Sequence, residues 1–518
     1  MKSGEKNPGK ELYNQLRRLS CARLWDDEVP RFDRASPDER MKGVALVRAV
    51  GVVFSESGTG AEKNEARRWL LQLLDDPCEK IRRYAMTALP KLGAGPDEEK
   101  ALLSLLRKTA GEREKKFLGQ TLDKIGGVAT LEILAKESLE IAPQTEQKVK
   151  ASIARSRSPG AIRMLGVLSD FAGLRIHLRG RAGLERFVRD EVETSARTRG
   201  KFRVAEVRNG LVAITPMAPF SLTDLYTLRC FGTVGFVPGT VPVSNEAESI
   251  GALASVIASP LSRRVLETFT EGAVRYRLDF VAKGHQRGAV RLLANRVYAL
   301  CPDILNDARD ALWAVDIHPA GHRDSVELRP RLTPDPRYYF RRRDVPAASH
   351  PPLAACMARL AGKFENEIVW DPFCGSGSEL IERALLGGVR SLHGTDLSGV
   401  AIDIARDNFA AAKVAGVRSQ FTRCDFRDHA RIAGLGPGSV TLVLTNPPMG
   451  KRVPIPNLRG LIEDLFNATA TVLRPGGRLV FANPLPVQCP NQSLKLQSRE
   501  TVDFGGFDCR LEKYLKRQ

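Results

Sequence analysis

The sequence is short of several things, and each shortage excludes a class. Its nine cysteines are scattered and none stands in a CxxC pair, so neither a zinc site nor a disulfide framework is expected; reduced thiols and no metal fit this pattern. No apolar run is long enough to span a bilayer, so no membrane partner is expected. The opening stretch MKSGEKNPGKELYNQL has no apolar signal core, and Glu5 and Glu11 argue against a transit peptide. The expected compartment is the cytoplasm. Acidic residues are also in deficit, 60 against 79 Lys and Arg, for a net charge of +19. Such an excess favours a polyanion, which for soluble enzymes in general is usually a nucleic acid. An arginine-rich composition without functional meaning explains the charge equally well. At 518 residues the chain is too long for one core, and about three domains are expected.

Residues 1–155 read as helices only. The stretch 65-EARRWLLQLLDDPCEKIRRYAMTALPKLG-93 forms two amphipathic helices that meet at Asp75-Asp76-Pro77. There the aspartates suit a helix end and an N-cap, and the proline suits a first turn. A weaker copy follows at 98–127 and another from Ala129 to Ile153. Two helices about every 40 residues predict a short α-solenoid, and Leu71–Leu92 resembles a HEAT repeat. Two readings stay open for this region: a docking arm for RNA or a protein partner, and a helical cap over the next domain. The run 152-SIARSRSPGA-161 reads as a linker.

From about 156 to 335 the pattern is α+β. Leu174–Leu178 alternates as a strand, 183-GLERFVRDEVETSA-196 reads as a helix, and Asn209-Gly210 marks a hairpin turn. Further on, 274-VRYRLDFVAK-283 is a strand, Arg287–Leu300 a helix, and 312-LWAVDIHP-319 with 325-SVELRPRL-332 two more strands. The segment 336-PRYYFRRRDVPAASHPPLAACMARLAG-362 then carries a compact basic cluster. In it, His350 reads as a helix-entry residue rather than a catalytic base, because Pro-Pro fixes an extended turn before the helix.

The most informative stretches are 368-IVWDPFCGSGSELIERAL-385 and 445-TNPPMG-450. The first is a strand ending at Asp371, a turn in which Gly375 and Gly377 let backbone approach a ligand, and a helix with apolar residues at helical spacing. Strands and helices alternate from there to 483, with Asp396 and Asp425 closing the next two strands, and predict a doubly wound parallel sheet. Lys495 to Tyr514 reads as an antiparallel hairpin turning at Gly505-Gly506. NAD binding is the rival for any glycine loop, but the position three beyond Gly377 is Leu380, so GxGxxG is not met. The Asn446 side-chain oxygen and the Pro447 carbonyl can accept both hydrogens of an exocyclic amine. That would localise its lone pair, with Pro447 and Pro448 stiffening the corner.

GLERFVRDE, the strand from Arg275 to Lys283 and WAVDI…VELRPRL, taken with DPFCGSGSELIERAL and TNPPMG, resemble the THUMP-domain RNA guanine-N2 methyltransferases. The resemblance implies a multidomain chain. A HEAT-like all-α solenoid (1–155) would precede an α+β THUMP-like RNA-binding region (156–335) and an α/β Rossmann-like class I methyltransferase (336–518). It implies S-adenosylmethionine as cofactor, held by Asp371, Phe373, Cys374, Gly375, Gly377, Asp396, Leu397, Asp425, Phe426 and Asn446. Within that set Asp396 would take the ribose hydroxyls and Asp425 the adenine amine, although Asp425 also reads as a plain helix N-cap. Catalysis would fall to Asn446, Pro447, Pro448 and Met449. Contacts to tRNA or rRNA would fall to Arg275, Arg277, Lys283, Arg287, Arg341, Arg342, Arg343, Lys451 and Arg452; a solvated basic face is the plainer account of any one of them. Met449 departs from the family, which has an aromatic residue there. Three functions stay open: guanine-N2 methylation of tRNA or rRNA, adenine-N6 methylation of DNA or RNA, and a non-catalytic RNA-binding scaffold.

Overall fold

The computed structural model describes every residue except 1–7, 94, 137–143, 158–159, 283, 285, 347, 451–454 and 518. The expected RNA contacts Lys283, Lys451 and Arg452 therefore lie outside the described residues. The chain forms two compact units. One comprises 1–161, 243–258 and 270–315; the other comprises 162–242, 259–269 and 316–518.

In the first unit, every regular element described before Ala161 is helical. Local chemistry starts these helices: Thr59 caps Glu62 N and Glu62 returns the bond to Thr59 N at 2.7 Å. Their apolar faces bury Leu24, Phe54, Leu70, Ile81, Met86 and Leu118 in one core. The aspartate turn differs from expectation. The next helix spans Glu79–Ala88 with Cys78 at its N-cap, and Pro77 stays outside it. Asp76 instead accepts from Cys78 N at 2.8 Å and pairs with Arg40 at 2.7 Å. Most of the expected linker is also helix, Thr145–Arg157, and Arg155 in it pairs with Asp307 at 2.7 Å. A tertiary ion pair there overrides the loop-like composition.

In the second unit, an antiparallel sheet runs from Arg323–Pro330 through Thr233–Pro242, Arg175–Arg179 and Leu211–Pro216 to Phe202–Arg208. Gly210 turns the last hairpin at φ 71°. Glu327 is buried in this sheet against His177 at 2.7 Å and the Arg179 guanidinium. Burial raises its pKa, but hydrogen bonds from Arg179 and His177 outweigh it and bring the pKa from 4.5 to about 2. A depressed carboxylate stabilises the fold above its unfolded pKa and loses that contribution as pH falls through the folded one. We expect Glu327→Gln to cost about 3 kcal/mol near neutral pH. Acid titrations of chemical denaturation should then show parent and variant converging between pH 4.5 and about 2.

Buried ion pairs tie this sheet to the rest of the same unit. Arg229 forms a two-pronged pair with Glu382, both bonds at 2.7 Å, and Arg359 reaches Glu191 at 2.6 Å. Arg337 donates to the Phe231 and Gly232 carbonyls at 2.8 and 2.9 Å.

The remaining sheet has seven strands: β1 (Glu367–Asp371), β2 (Val389–Asp396), β3 (Arg418–Arg423), β4 (Val440–Thr445), β5 (Leu473–Asn483), β6 (Leu494–Asp503) and β7 (Asp508–Lys516). Their order is β3-β2-β1-β4-β5-β7-β6. The first five pair in parallel, and β7 runs antiparallel to both β5 and β6. β1 and β4 lie side by side at the centre, where the strand order reverses and a crevice opens beyond the carboxyl ends. Helices α1 (Pro351–Ala361), α2 (Ser378–Leu385), α3 (Gly399–Ala412) and α4 (Leu458–Val472) connect and cover the strands. β4 is buried along its whole length, as a central parallel strand must be. Among the described residues no helix is long and apolar enough to cross a membrane.

Candidate active site

The crevice at the strand ends is a cavity of about 860 Å³. The loop after β1 forms its floor. Asp371 Oδ1 accepts from Phe373 N at 3.0 Å and from Thr445 Oγ at 2.5 Å, so β4 and the loop share one carboxylate. Gly375 and Gly377 take φ of 50° and 82°, left-handed values that a side chain would strain. A Cβ at Gly377 would also meet Ala405 Cβ of α3 at 3.4 Å. Asn408, buried on α3, staples the loop to the segment before α1. Its amide donates to the Ser376 and Arg343 carbonyls at 3.0 Å and accepts from Arg342 N at 3.1 Å.

Asp396 stands at the end of β2. One of its oxygens accepts from Gly375 N at 3.1 Å, the other from Ser398 N at 2.9 Å. A carboxylate offers about four lone-pair sites, so capacity for two hydroxyls remains. Leu397 and Val400 follow, exposed at 67% and 63%, and both line the cavity. Asp425 caps the short turn Phe426–Arg431 through Arg427 N at 3.0 Å and pairs with the Arg427 guanidinium at 3.1 Å. Phe426 stacks obliquely on Phe373, centroids 4.9 Å apart.

At the end of β4, Asn446 lines the cavity with Pro447, Pro448 and Met449. Its amide nitrogen donates to Ser349 Oγ at 2.7 Å. Its Oδ1 is screened from water and meets no donor among the described residues. A buried acceptor left unpaired in a cavity wall is costly, and a ligand donor would relieve that cost. Ser349 in turn donates to Glu379, a carboxylate nearly without exposure on the first turn of α2. Burial raises the Glu379 pKa; burial and the nearby Glu379 charge raise that of Asp371 further.

His350 is the N-cap of α1, with Pro351 and Pro352 in the first turn. The residue keeps exposed surface at the cavity, but partial desolvation, with Arg181, Arg341 and Arg337 nearby, lowers the pKa of its imidazole, a weak proton acceptor at neutral pH.

Phe373, Cys374, Gly375, Asp396, Leu397, Asp425, Phe426 and Asn446 all border the cavity. Two expected cofactor residues do not. Asp371 is fully buried beneath the loop and shapes it, and Gly377 serves the join between loop and α2. Arg275 is also corrected. It is 1% exposed and held by Asp310 at 3.0 Å and Asp307 at 3.6 Å, so it offers nothing to RNA. Arg277 is half-buried with Asp279 at 3.8 Å, Arg287 is exposed, and both belong to the first unit. Arg341 pairs with Asp344 and Arg343 with Asp407 at 3.1 Å, while Arg342 is exposed. Sequence reasoning missed Ser349, Glu379 and Arg181, and also Phe504 and Phe507 at the β6–β7 turn; all five line the cavity. The signal for the last two was the Gly505-Gly506 pair between them.

Strand order, glycine loop and strand-end acid together define a Rossmann-like doubly wound sheet with a crevice at its switch point. The chain matches the family model described as RMKL-like, methyltransferase domain, over residues 338–503. It is 31% identical over 167 residues to a tRNA (guanine(10)-N2)-dimethyltransferase of Methanocaldococcus jannaschii, covering 31% of this chain and 42% of that protein. It is 32% identical over 138 residues to a tRNA (guanine(6)-N2)-methyltransferase of Thermus thermophilus, covering 26% of this chain and 39% of that protein. The matched stretch thus spans less than half of either relative. The crystal structure of TrmN from Thermus thermophilus shares the fold, with a TM-score of 0.53 at 21% identity, covering 66% of this chain and 99% of that one.

The cofactor of such a domain is S-adenosylmethionine, and the residues present fit it. The loop backbone is open at Gly375, an acid with spare acceptor capacity stands at Asp396, and apolar surface is exposed at Leu397 and Val400.

Proposed function

We propose that this chain is an S-adenosylmethionine-dependent methyltransferase acting on the exocyclic N2 amine of guanine in tRNA. The observation that carries it is the unpaired Asn446 Oδ1 in the wall of the cavity. The names of the two tRNA methyltransferases support the choice of base and RNA.

Bound cofactor supplies an electrophilic methyl group on a sulfonium. The chain's own residues make the amine a competent nucleophile. Its lone pair is delocalised into the ring, and acceptance of its two hydrogens by Asn446 Oδ1 and the Pro447 carbonyl draws that pair back onto nitrogen. The prolines fix the corner, so little reorganisation is needed. No strong base is required, since nitrogen becomes acidic as the methyl arrives. The base must leave its stem to enter such a cavity.

Met449 borders the same cavity. A ring under a base contributes about 1–3 kcal/mol, and methionine sulfur about 0.3–1.5 kcal/mol. Met449→Phe is therefore expected to lower KM for RNA several-fold, with the cofactor constant unchanged, in steady-state assays.

The reading extends to the remaining parts. The division into a HEAT-like region (1–155), a THUMP-like region (156–335) and a methyltransferase region (336–518) is part of it. So is RNA binding through Arg277, Arg287, Arg342 and Arg343, a protein partner on the N-terminal helices, and action in the cytoplasm. Methyl transfer from labelled S-adenosylmethionine to total tRNA, rRNA and DNA, followed by nucleoside analysis, tests the activity. Label in N2-methylguanosine of tRNA is the expected result. Label in N6-methyladenine would move the target to adenine, and no label with intact cofactor binding would leave an RNA-binding scaffold.

A further inference from the structure

The Asn446 amide can present either of two faces. With its oxygen toward an amine it accepts hydrogens; turned over, it offers NH2 and repels them. What sets the face is a half-buried chain of three side chains from three separate segments. Asn446 follows β4, Ser349 precedes α1, and Glu379 lies in the first turn of α2. A serine hydroxyl has one proton to donate. Ionised Glu379 can only accept, so that proton goes to Glu379, and Ser349 Oγ is left to accept from Asn446 Nδ2. Oδ1 then remains the unclaimed end of the amide, as it is here.

We propose that Ser349 and Glu379 are positioning residues that fix which end of the Asn446 amide meets the substrate amine. The inference rests on the proposed methyl transfer at Asn446. A proton on Glu379 toward Ser349 reverses the chain. Glu379 then donates to Ser349, Ser349 donates to Asn446 Oδ1, and the amide turns its NH2 outward. The groups around Glu379 bear on that proton in both directions. Arg341 favours the ionised form, and Glu382 on the same helix opposes it. Asp371 at the end of β1 also opposes it, as does burial; the Cys374 thiol of the glycine loop faces the same carboxylate. Burial is the largest influence and raises the Glu379 pKa against the bond from Ser349, so acid protonates this carboxylate more readily than an exposed one, and the orientation of the amide follows.

The experiment uses the full chain and four variants: Ser349→Ala, Ser349→Thr, Glu379→Gln and Asn446→Ala. Cofactor-product binding by calorimetry confirms folding of each. Ser349→Ala is expected to lower kcat about a hundredfold, the scale of a small misplacement, with cofactor affinity and KM for RNA unchanged; Ser349→Thr restores it. The parent should lose kcat on the acid side. Glu379→Gln, able both to donate and to accept, should lose that acid limb. Independently of turnover, the side-chain amide signals of 15N-labelled Asn446, identified by their loss in Asn446→Ala, should shift with acid in the parent and stay fixed in Glu379→Gln. Ser349→Ala with the parent's kcat, or Asn446 signals that respond to acid alike in parent and Glu379→Gln, would overturn the inference. If the parent methylates no nucleic acid, the proposed function fails, and the amide signals still decide the positioning.

Discussion

Asn446→Ala should lower methyl transfer by about two to three powers of ten while the affinity for S-adenosylmethionine stays close to the parent's. The magnitude follows from removing one preorganised polar group that acts where charge develops. The selectivity follows from placement. Asn446 sits at the end of β4, whereas the cofactor-directed loop is held by bonds among Asp371, Phe373, Thr445 and Asp396 that do not pass through the Asn446 side chain. Alanine removes the acceptor and also frees Ser349 Oγ of its donor. Single-turnover transfer measured alongside calorimetric cofactor binding separates the two effects. A variant that binds cofactor weakly and transfers normally once saturated would place Asn446 in cofactor binding instead of chemistry.

Glu367→Ala is expected to destabilise the seven-stranded sheet by about 3–5 kcal/mol, a large part of the roughly 5–15 kcal/mol typical of a domain. Glu367 opens β1 and receives Arg383 of α2 through one oxygen and Arg478 of β5 through the other. All three are buried, Arg383 completely. Truncating the carboxylate strands two guanidinium charges in a core that gave them one counter-ion. Burial already disfavours the charged form of Arg383, so little attraction remains to offset its loss of water. Replacing all three together, Glu367→Leu with Arg383→Met and Arg478→Met, should recover much of the loss, because the desolvation cost disappears with the charges. Urea denaturation of parent, single and triple variants checks both statements. A single variant within 1 kcal/mol of the parent would mean that water reaches the arginines.

How much of this was legible in the sequence depended on the range of the interaction. Alternation of apolar runs exposed the strands, and the acids that end them, Asp371 and Asp396, marked where a crevice would open. The Asn-Pro-Pro corner could be picked out as a candidate because its groups are adjacent in the chain, and it does border the cavity. Partners far apart left no local mark. Ser349 and Asn446 are 97 residues apart and Ser349 and Glu379 are 30 apart, so nothing near Glu379 says that it faces a polar neighbour. Arg275 looked like part of a basic face because Asp307 and Asp310, which neutralise it, lie beyond an intervening helix. Asp371 was read as a ligand contact because a strand-end acid has two possible uses, holding a ligand or holding its own loop. The pattern is the same for both. Asp76 shows the same ambiguity on a smaller scale: an acid before Pro and Cys signals a turn, but not whether its carboxylate caps a helix or meets an arginine.

The second unit is assembled from three separated stretches of chain, 162–242, 259–269 and 316–518. Its locking contacts join residues such as Arg229 and Glu382, 153 positions apart, and Arg179 and Glu327, 148 apart. High sequence separation slows folding, since closure entropy is spent before those contacts form. A fragment starting at 336 would carry Arg359 and Glu382 without their ion-pair partners Glu191 and Arg229.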